Sequence, residues 1–354
     1  MIDARYTRMP LVSVIITNRN YEKYVSQAIQ SVADQTYKNI ECVIVDDCSI
    51  DNSFATITSF LASLDDSRFR CIRLGSNLGQ MAAIKAGLEN TSGEFVASLD
   101  ADDLWMPDFV KAHVAAHLNA SFSAGISGSD TMQIDENGAV LEGTFHTLIK
   151  HRSDYPAGLT KPVLAASMPS VESDSIKYAT EEAPDTVFYT DRALVGWHYS
   201  AMSSMMFRRS LLNVIFPSDM SVMKICADYY MALFCHWITG SITIGQVHSY
   251  FRLHRKNNFS TNPILGGPNG AGFFSPPIKG SLERAIANHI ITNIDRFQNI
   301  LGLEYCVVII RRVYSKWEMY KVARASPILR LHLGRGSDRR FRLKYRYYRL
   351  FKKR

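Results

Sequence analysis

Ser98-Leu99-Asp100-Ala101-Asp102-Asp103 closes an apolar run that begins at Phe95. An acidic triplet by itself is ordinarily a solvated turn or a helix start. This one means more because two other runs end in the same way. Leu11 to Thr17 is apolar and feeds a polar loop, and Cys42 to Val45 feeds a second acidic pair, Asp46-Asp47. Ligands of open α/β sheets bind beyond the carboxyl ends of the strands, so three strands with polar or acidic tips predict one shared pocket. Aspartates at i and i+2 of a turn can set one oxygen on a hard divalent cation and another on a ribose hydroxyl. Magnesium and manganese favour such oxygen ligands together with substrate phosphates, and a nucleotide diphosphate would complete that shell.

Around these tips strands and helices alternate. Leu11 to Thr17, Ile40 to Val45, Phe69 to Leu74 and Phe95 to Leu99 read as strands. Tyr24 to Ala33, Ser53 to Leu64 (which Asp51 or Asn52 could cap) and Gly79 to Glu89 read as helices, and Pro107 suits the first turn of a helix toward Leu118. Such a βαβ series builds a Rossmann-like, mostly parallel sheet flanked by helices. Thr131 to Ile134 and Ala139 to Leu141 flank Asp135-Glu136-Asn137-Gly138, a hairpin signal. The proline-bearing stretch from Phe145 to Asp191 is irregular and suits an insertion walling a cleft. Ala201 to Phe207 reads as a buried strand, Asp228 to Ile238 as a helix, and Ser241 to Leu253 as two short strands.

The 354 residues, 47% hydrophobic and 21% charged, suffice for one large or two modest domains. No segment approaches the roughly 18 to 20 apolar residues of a membrane span, and the start has no secretory pattern. The six cysteines include no Cys-x-x-Cys pair and fall partly in apolar runs, which suits a reducing cytoplasm and no zinc site. Net charge is +7. Its excess sits in the tail, where nine basic residues from Arg339 to Arg354 interleave with Phe341, Tyr345, Tyr347, Tyr348 and Phe351.

Several stretches occur together in a telling order. They are Val12-Ser13-Val14-Ile15-Ile16-Thr17-Asn18-Arg19-Asn20-Tyr21, Gln35-Thr36-Tyr37, Val45-Asp46-Asp47-Cys48-Ser49-Ile50-Asp51, Asn77-Leu78-Gly79-Gln80 and Asp100-Ala101-Asp102-Asp103. Ala227-Asp228-Tyr229-Tyr230, then Tyr250-Phe251-Arg252-Leu253-His254 and Asn257-Asn258, continue the series. From about Pro10 to Ser260 the chain resembles family 2 glycosyltransferases with a GT-A fold. The resemblance implies a catalytic domain over residues 1–260, with a donor half near 10–120 and an acceptor half near 121–260. A mobile Gly/Pro loop at 261–280 is expected to follow, then a helical extension at 281–354 that carries the basic aromatic tail.

By the same resemblance, Thr17 and Asn20 lie by the nucleotide and Asp47 accepts from a base N–H, although Asp46 and Asp47 could simply start the turn before Ser49 and Asp51. Asp100 touches ribose or metal, and Asp102 binds a Mg2+ or Mn2+ ion that bridges the diphosphate. His254 approaches the diphosphate or the metal, while Asp103 caps the next helix or holds the loop. Asp228 is implied as the catalytic base: a sugar hydroxyl is a poor nucleophile at neutral pH, and a carboxylate must take its proton. Single displacement with inversion follows. Its other reading is a first-turn helix aspartate favoured by the macrodipole. Trp197 and His198 are candidates for the acceptor side, since aromatic faces pack on sugar rings. The Gln-x-x-Arg-Trp pattern of similar processive synthases is missing, which favours addition of one sugar.

The loop at 261–280 suits a lid. The helices expected at Leu282 to Gln298 and Glu304 to Val322 could pack on the domain or on another subunit, so a homo-oligomer stays open. Basic residues among aromatic ones suit an anionic membrane surface, at about 1 kcal/mol per charge. A solvated tail, or nucleic acid bound through its phosphates, would use the same composition. The membrane reading is adopted because acceptors of similar enzymes are often lipid-linked. The expectation is therefore a cytoplasmic, peripheral, metal-dependent enzyme that moves a sugar from a nucleotide-diphosphate donor to a glycan or lipid-linked acceptor in cell-surface polysaccharide assembly. A protein or small-molecule acceptor, or a non-catalytic nucleotide-sugar-binding protein, is the alternative.

Overall fold

The computed structural model describes residues 8–120, 123–142, 160–163, 187–193, 199–217, 220, 223, 226–255, 257, 276–315, 318–319, 321–322 and 326–329. The chain divides into two compact units, Met1–Ser275 and Pro276–Arg354.

The first unit is built on one sheet. β1 (Val12–Asn18) lies between β2 (Ile40–Asp46) and β4 (Phe95–Asp100), all parallel, and β3 (Phe69–Arg73) extends β2 in the same sense. Near-continuous apolar runs are what a parallel sheet covered on both faces requires, and every residue of β1 is buried. Helix α1 (Val25–Ala33) buries Val25, Ala28, Ile29 and Val32, one stripe at helical spacing. Helices α2 (Ser53–Leu64) and α3 (Gln80–Glu89) complete the crossovers. Gly87 is what allows α3 to sit close on the sheet, because a Cβ there would meet Ile15 Cγ2 at 2.5 Å. Asp51 Oδ1 accepts from the Ser53 N–H at 3.0 Å at the start of α2, whereas Asn52, at the cap position, makes no side-chain cap bond.

Register decides where the site lies. Thr17 pairs with Asp100 across β1 and β4, and Asn18 pairs with Asp46 across β1 and β2. The polar tips therefore meet at one carboxyl edge. The chain then makes β5 (Leu104–Trp105) and α4 (Phe109–Asn119), with Pro107 in the turn ahead of α4 rather than in its first turn. The rest of the sheet runs β4-β10-β6-β11-β9-β8, from β6 (Ile126–Ile134), β8 (Thr160–Val163), β9 (Val187–Thr190), β10 (Met205–Arg208) and β11 (Ser241–Arg252). β10 runs antiparallel to both neighbours, β11 parallel to β6. β5 pairs antiparallel with the end of β11, Ser249 opposite Trp105, and so brings the loop after β4 to the residues that follow β11. The expected hairpin forms: β7 (Val140–Glu142) returns on β6 through a turn with Gly138 at φ +92°. Helix α5 (Arg209–Ile215) follows β10, and α6 (Ala227–Thr239) precedes β11.

Several elements differ from the sequence expectation. The two strands expected between Ser241 and Leu253 are one strand, whose register against β6 shifts after Thr243 and again after Val247; these irregularities absorb the break. Ala201 to Phe207 opens as a 3₁₀ turn at Met202–Ser204 before β10 starts.

In the second unit α7 (Pro276–Thr292) begins inside the stretch expected to be loop, its first turn holding Pro276 and Pro277, which lack the N–H that a first turn leaves unpaired anyway. The rest of that expected lid, 261–275, lies outside the described residues. The first long helix expected there is interrupted at Asn293, which bonds His289 O through both its backbone and its side-chain nitrogen; α8 (Ile294–Leu301) follows. The second stops at α9 (Leu303–Val313), where Tyr314 turns extended. Leu282, Ile286, Ile290, Phe297, Ile309 and Ile310 are buried in this unit. Among the described residues, no helix is long and apolar enough to cross a membrane.

Candidate active site

At the edge shared by β1, β2 and β4, the Asp46-Asp47 loop is tied by its own neighbours. Asp46 is fully buried: Oδ1 accepts from Asn18 Nδ2 at 2.8 Å, and Oδ2 accepts from the Ser49 N–H at 3.1 Å and pairs with Arg73 Nε at 3.3 Å. The turn-starting reading is therefore right for Asp46. Asp47 accepts from the N–H groups of Leu78 and Gly79, each at 2.8 Å, and so anchors the turn into α3. A carboxylate oxygen has room for a second bond, so a base N–H remains compatible with it. Asn20, in the left-handed region at φ +60°, accepts from the Ile50 N–H at 2.9 Å. It joins the loop after β1 to the one after β2.

The loop after β4 is different. Asp100 Oδ1 accepts from Thr17 Oγ1 at 3.0 Å and from Gln80 Nε2 at 2.8 Å. Asp103 holds the loop rather than capping a helix: it accepts from Ser203 Oγ at 2.6 Å and from the Arg252 N–H at 2.8 Å. Asp102 Oδ2 lies 3.0 Å from His254 Nε2. Burial, and then the charges of Asp102, Asp100 and Asp103, raise the Tyr21 pKa. The His254 ring stacks on Tyr24, with centroids 5.2 Å apart and planes at 22°, and meets the edge of Tyr21 at 5.6 Å.

Burial pushes the Asp100 carboxyl up to about 7, the charge of Asp102 and then that of Asp228 add to the rise, and the Gln80 and Thr17 bonds oppose it. Burial, then the charges of Asp102 and Asp100, raise Asp103 well above the carboxylate range. Asp228, in the first turn of α6, is half-buried and accepts from the Tyr229 N–H at 2.8 Å; burial pushes it up to about 6. Its field reaches Asp100, so the expected base and the expected donor-binding loop are electrostatically coupled. Trp197 and His198 lie outside the described residues.

A carboxylate oxygen and an imidazole nitrogen at 3.0 Å, beside further carboxylates that repel one another, form a donor set that suits a divalent cation. Among the described residues no three His, Cys, Asp or Glu side chains converge into a ready cage. An ion held by Asp102 and His254 would take its other ligands from phosphate and water, the usual habit of Mg2+.

A family model described as Glycosyl transferase family 2 matches residues 13–158. An uncharacterized glycosyltransferase of Nostoc sp. is 32% identical over 248 residues, covering 70% of this chain and 66% of its own length. The chain is similar to members of glycosyl transferase family 2. A second relative is the UDP-Glc:alpha-D-GlcNAc-diphosphoundecaprenol beta-1,3-glucosyltransferase WfgD of Escherichia coli, 35% identical over 32% of this chain and 45% of that protein. The chain thus spans just under two thirds of one relative and less than half of the other. Among solved structures, S. aureus TarS in complex with UDP matches with a TM-score of 0.50 at 19% identity, over 83% of this chain and 70% of that one. That is a likeness of fold, and the fold of this chain is of GT-A type.

Sequence reasoning gave no role to Tyr21, Tyr24, Gln80, Ser203 or Arg252. Tyr21, Gln80 and Arg252 stand inside stretches quoted for the family, which was the one signal available. Ser203 ties Asp100 and Asp103 from about a hundred residues away, and no local pattern announces that.

Proposed function

We propose that this chain transfers one sugar, with inversion, from a nucleotide-diphosphate donor to a hydroxyl of a glycan or lipid-linked acceptor in cell-surface polysaccharide assembly. The observation that carries the reading is the Asp102–His254 contact set among Asp100, Asp103 and Asp228 at the carboxyl edge of the sheet. Thr17, Asn20, Asp47 and Asp100 face the nucleotide and ribose, and Asp102 and His254 hold Mg2+ or Mn2+. When bound, the ion offsets the charge that builds on the departing diphosphate. Asp228 takes the acceptor hydroxyl proton as its oxygen bonds to the anomeric carbon and the bond from that carbon to the diphosphate breaks. A carboxyl pushed up to about 6 is ionised at neutral pH and more basic than an ordinary aspartate. The E. coli relative's name, with UDP-Glc as donor and a diphosphoundecaprenol-linked acceptor, supports the lipid-linked reading.

Screening UDP- and GDP-sugars for Mn2+-dependent hydrolysis, then transfer to polyprenyl-diphosphate sugars, tests this. The product should carry the anomeric configuration opposite to the donor's. Tight donor binding with no turnover on any acceptor would favour a non-catalytic nucleotide-sugar-binding protein. Peripheral attachment to an anionic membrane on the cytoplasmic side, through the tail from Arg339 onward, belongs to the same reading; those residues lie outside the described ones. Deleting them should sharply reduce binding to vesicles of anionic lipid, and binding by the full chain should weaken with salt.

A further inference from the structure

Arg252 has no task in the reading above, yet it is among the largest side chains to be fully buried, 1% exposed. Burying a guanidinium is costly unless its donors are used. Its Nε donates to the Asp102 backbone oxygen at 2.8 Å, one Nη to Gln27 Oε1 at 2.8 Å and the other to the Glu136 backbone oxygen at 3.2 Å. These acceptors are all uncharged. Its guanidinium also lies 4.9 Å from the centroid of the Tyr24 ring, the ring on which His254 stacks. One side chain thus fixes the backbone of Asp102 and shares a platform with the partner of the Asp102 carboxylate.

We infer that Arg252 is a positioning residue, which holds the Asp102 loop and, through the shared Tyr24 ring, the His254 imidazole in the mutual geometry that a diphosphate and its cation require. The inference rests on the donor-site reading above. Lysine cannot stand in, because a point charge on a flexible stem neither spans three acceptors in a plane nor stacks in the same way on a ring.

The test is calorimetric titration of the full chain with UDP, and in parallel GDP, in EDTA and in Mn2+. Mn2+ should tighten diphosphate binding by the wild type. Arg252→Lys should leave binding in EDTA within a few-fold and cut the Mn2+-dependent gain about 10- to 100-fold, the scale seen when partners of metal ligands are changed. Tyr24→Leu should lose the gain as well, and Tyr24→Phe should keep it, since the ring alone forms the platform. A merely structural role would weaken EDTA and Mn2+ binding alike. Should Arg252→Lys not fold, the half-exposed Tyr24 pair decides: retention of the gain by Tyr24→Leu overturns the inference. A wild-type gain that Arg252→Lys and Tyr24→Leu leave unchanged overturns it alone. Wild-type binding indifferent to Mn2+ overturns the metal reading and this inference together.

Discussion

Two acidic loops leave β2 and β4, the strands on either side of β1, and they have opposite electrostatic fates. After β2, Asp46 is enclosed by Asn18, Ser49 and Arg73, and Asp47 by the N–H groups of Leu78 and Gly79. Each charge in that loop meets donors from the chain itself. After β4, Asp100 and Asp103 are held above their ordinary range by burial and by the charge of Asp102. Here the donors from Thr17, Gln80, Ser203 and the Arg252 N–H are neutral, and the carboxylates repel one another. The first loop spends the charge of Asp46 on folding and leaves Asp47 room for one further donor, and the second keeps charge in reserve for a ligand. Acidic clusters that look alike in a sequence can thus be sorted by whether the chain's own N–H groups and cations already satisfy them.

The largest test of this contrast is Asp102→Asn. Removing a charge from the crowded loop should leave the melting temperature unchanged or slightly higher, because repulsion with Asp100 and Asp103 falls. Metal-dependent transfer should drop about 10³-fold, the upper range for losing an electrostatic group that acts on the reacting charges, and excess EDTA should inactivate the wild type. Normal transfer in EDTA would show that the reserve of charge has another purpose. Next in size is Asp228→Asn. Transfer should fall about 10²-fold while diphosphate affinity stays within a few-fold. The wild-type kcat/KM should lose activity as pH falls through about 6, where Asp228 takes up a proton, and that acid limb should vanish in the variant. The sign for stability is the reverse of a salt-bridged carboxylate. A folded-state pKa above the unfolded value means that ionising Asp228 opposes folding, with the penalty growing as pH rises from about 4 to about 6. Thermal melts of the variant should therefore gain on the wild type at pH 8 and little near pH 4.

Much of the first half was legible because the signals were local. The fully buried run of β1 and the stripe Val25, Ala28, Ile29 and Val32 read directly from residue type and spacing. The family motifs pointed to Asp102 and His254, which the fold brings to 3.0 Å across about 150 residues of sequence. What the motifs lacked was the support of that pair. Tyr24, Ser203 and Arg252 act through contacts that exist only once β5 has paired with β11, and neither charge nor period announces them. The same limit explains β11: a strand that carries two register shifts has no even alternation, so the residues looked like two strands. Asn293 interrupts a helix by bonding back to the preceding turn, a choice that helical periodicity on either side conceals.

The smallest expected effect on chemistry, and the sharpest on folding, belongs to Asp46→Asn. The exchange is nearly isosteric, but the groups facing this fully buried side chain are donors: Asn18 Nδ2, the Ser49 N–H and Arg73 Nε. An amide offers one acceptor oxygen and turns its own N–H groups toward the remaining donors, so at least one buried bond becomes a donor–donor clash. Arg73 is 44% exposed and can return its charge to water, which limits the loss to about 2 kcal/mol, within the range for an unsatisfied buried group. Chemical denaturation should show that loss with an unchanged slope. Transfer by the folded fraction should stay within about threefold of the wild type, because Asp46 faces only the chain's own groups. A variant as stable as the wild type but deficient in donor binding would reverse the assignment, placing the reserve of charge in both loops.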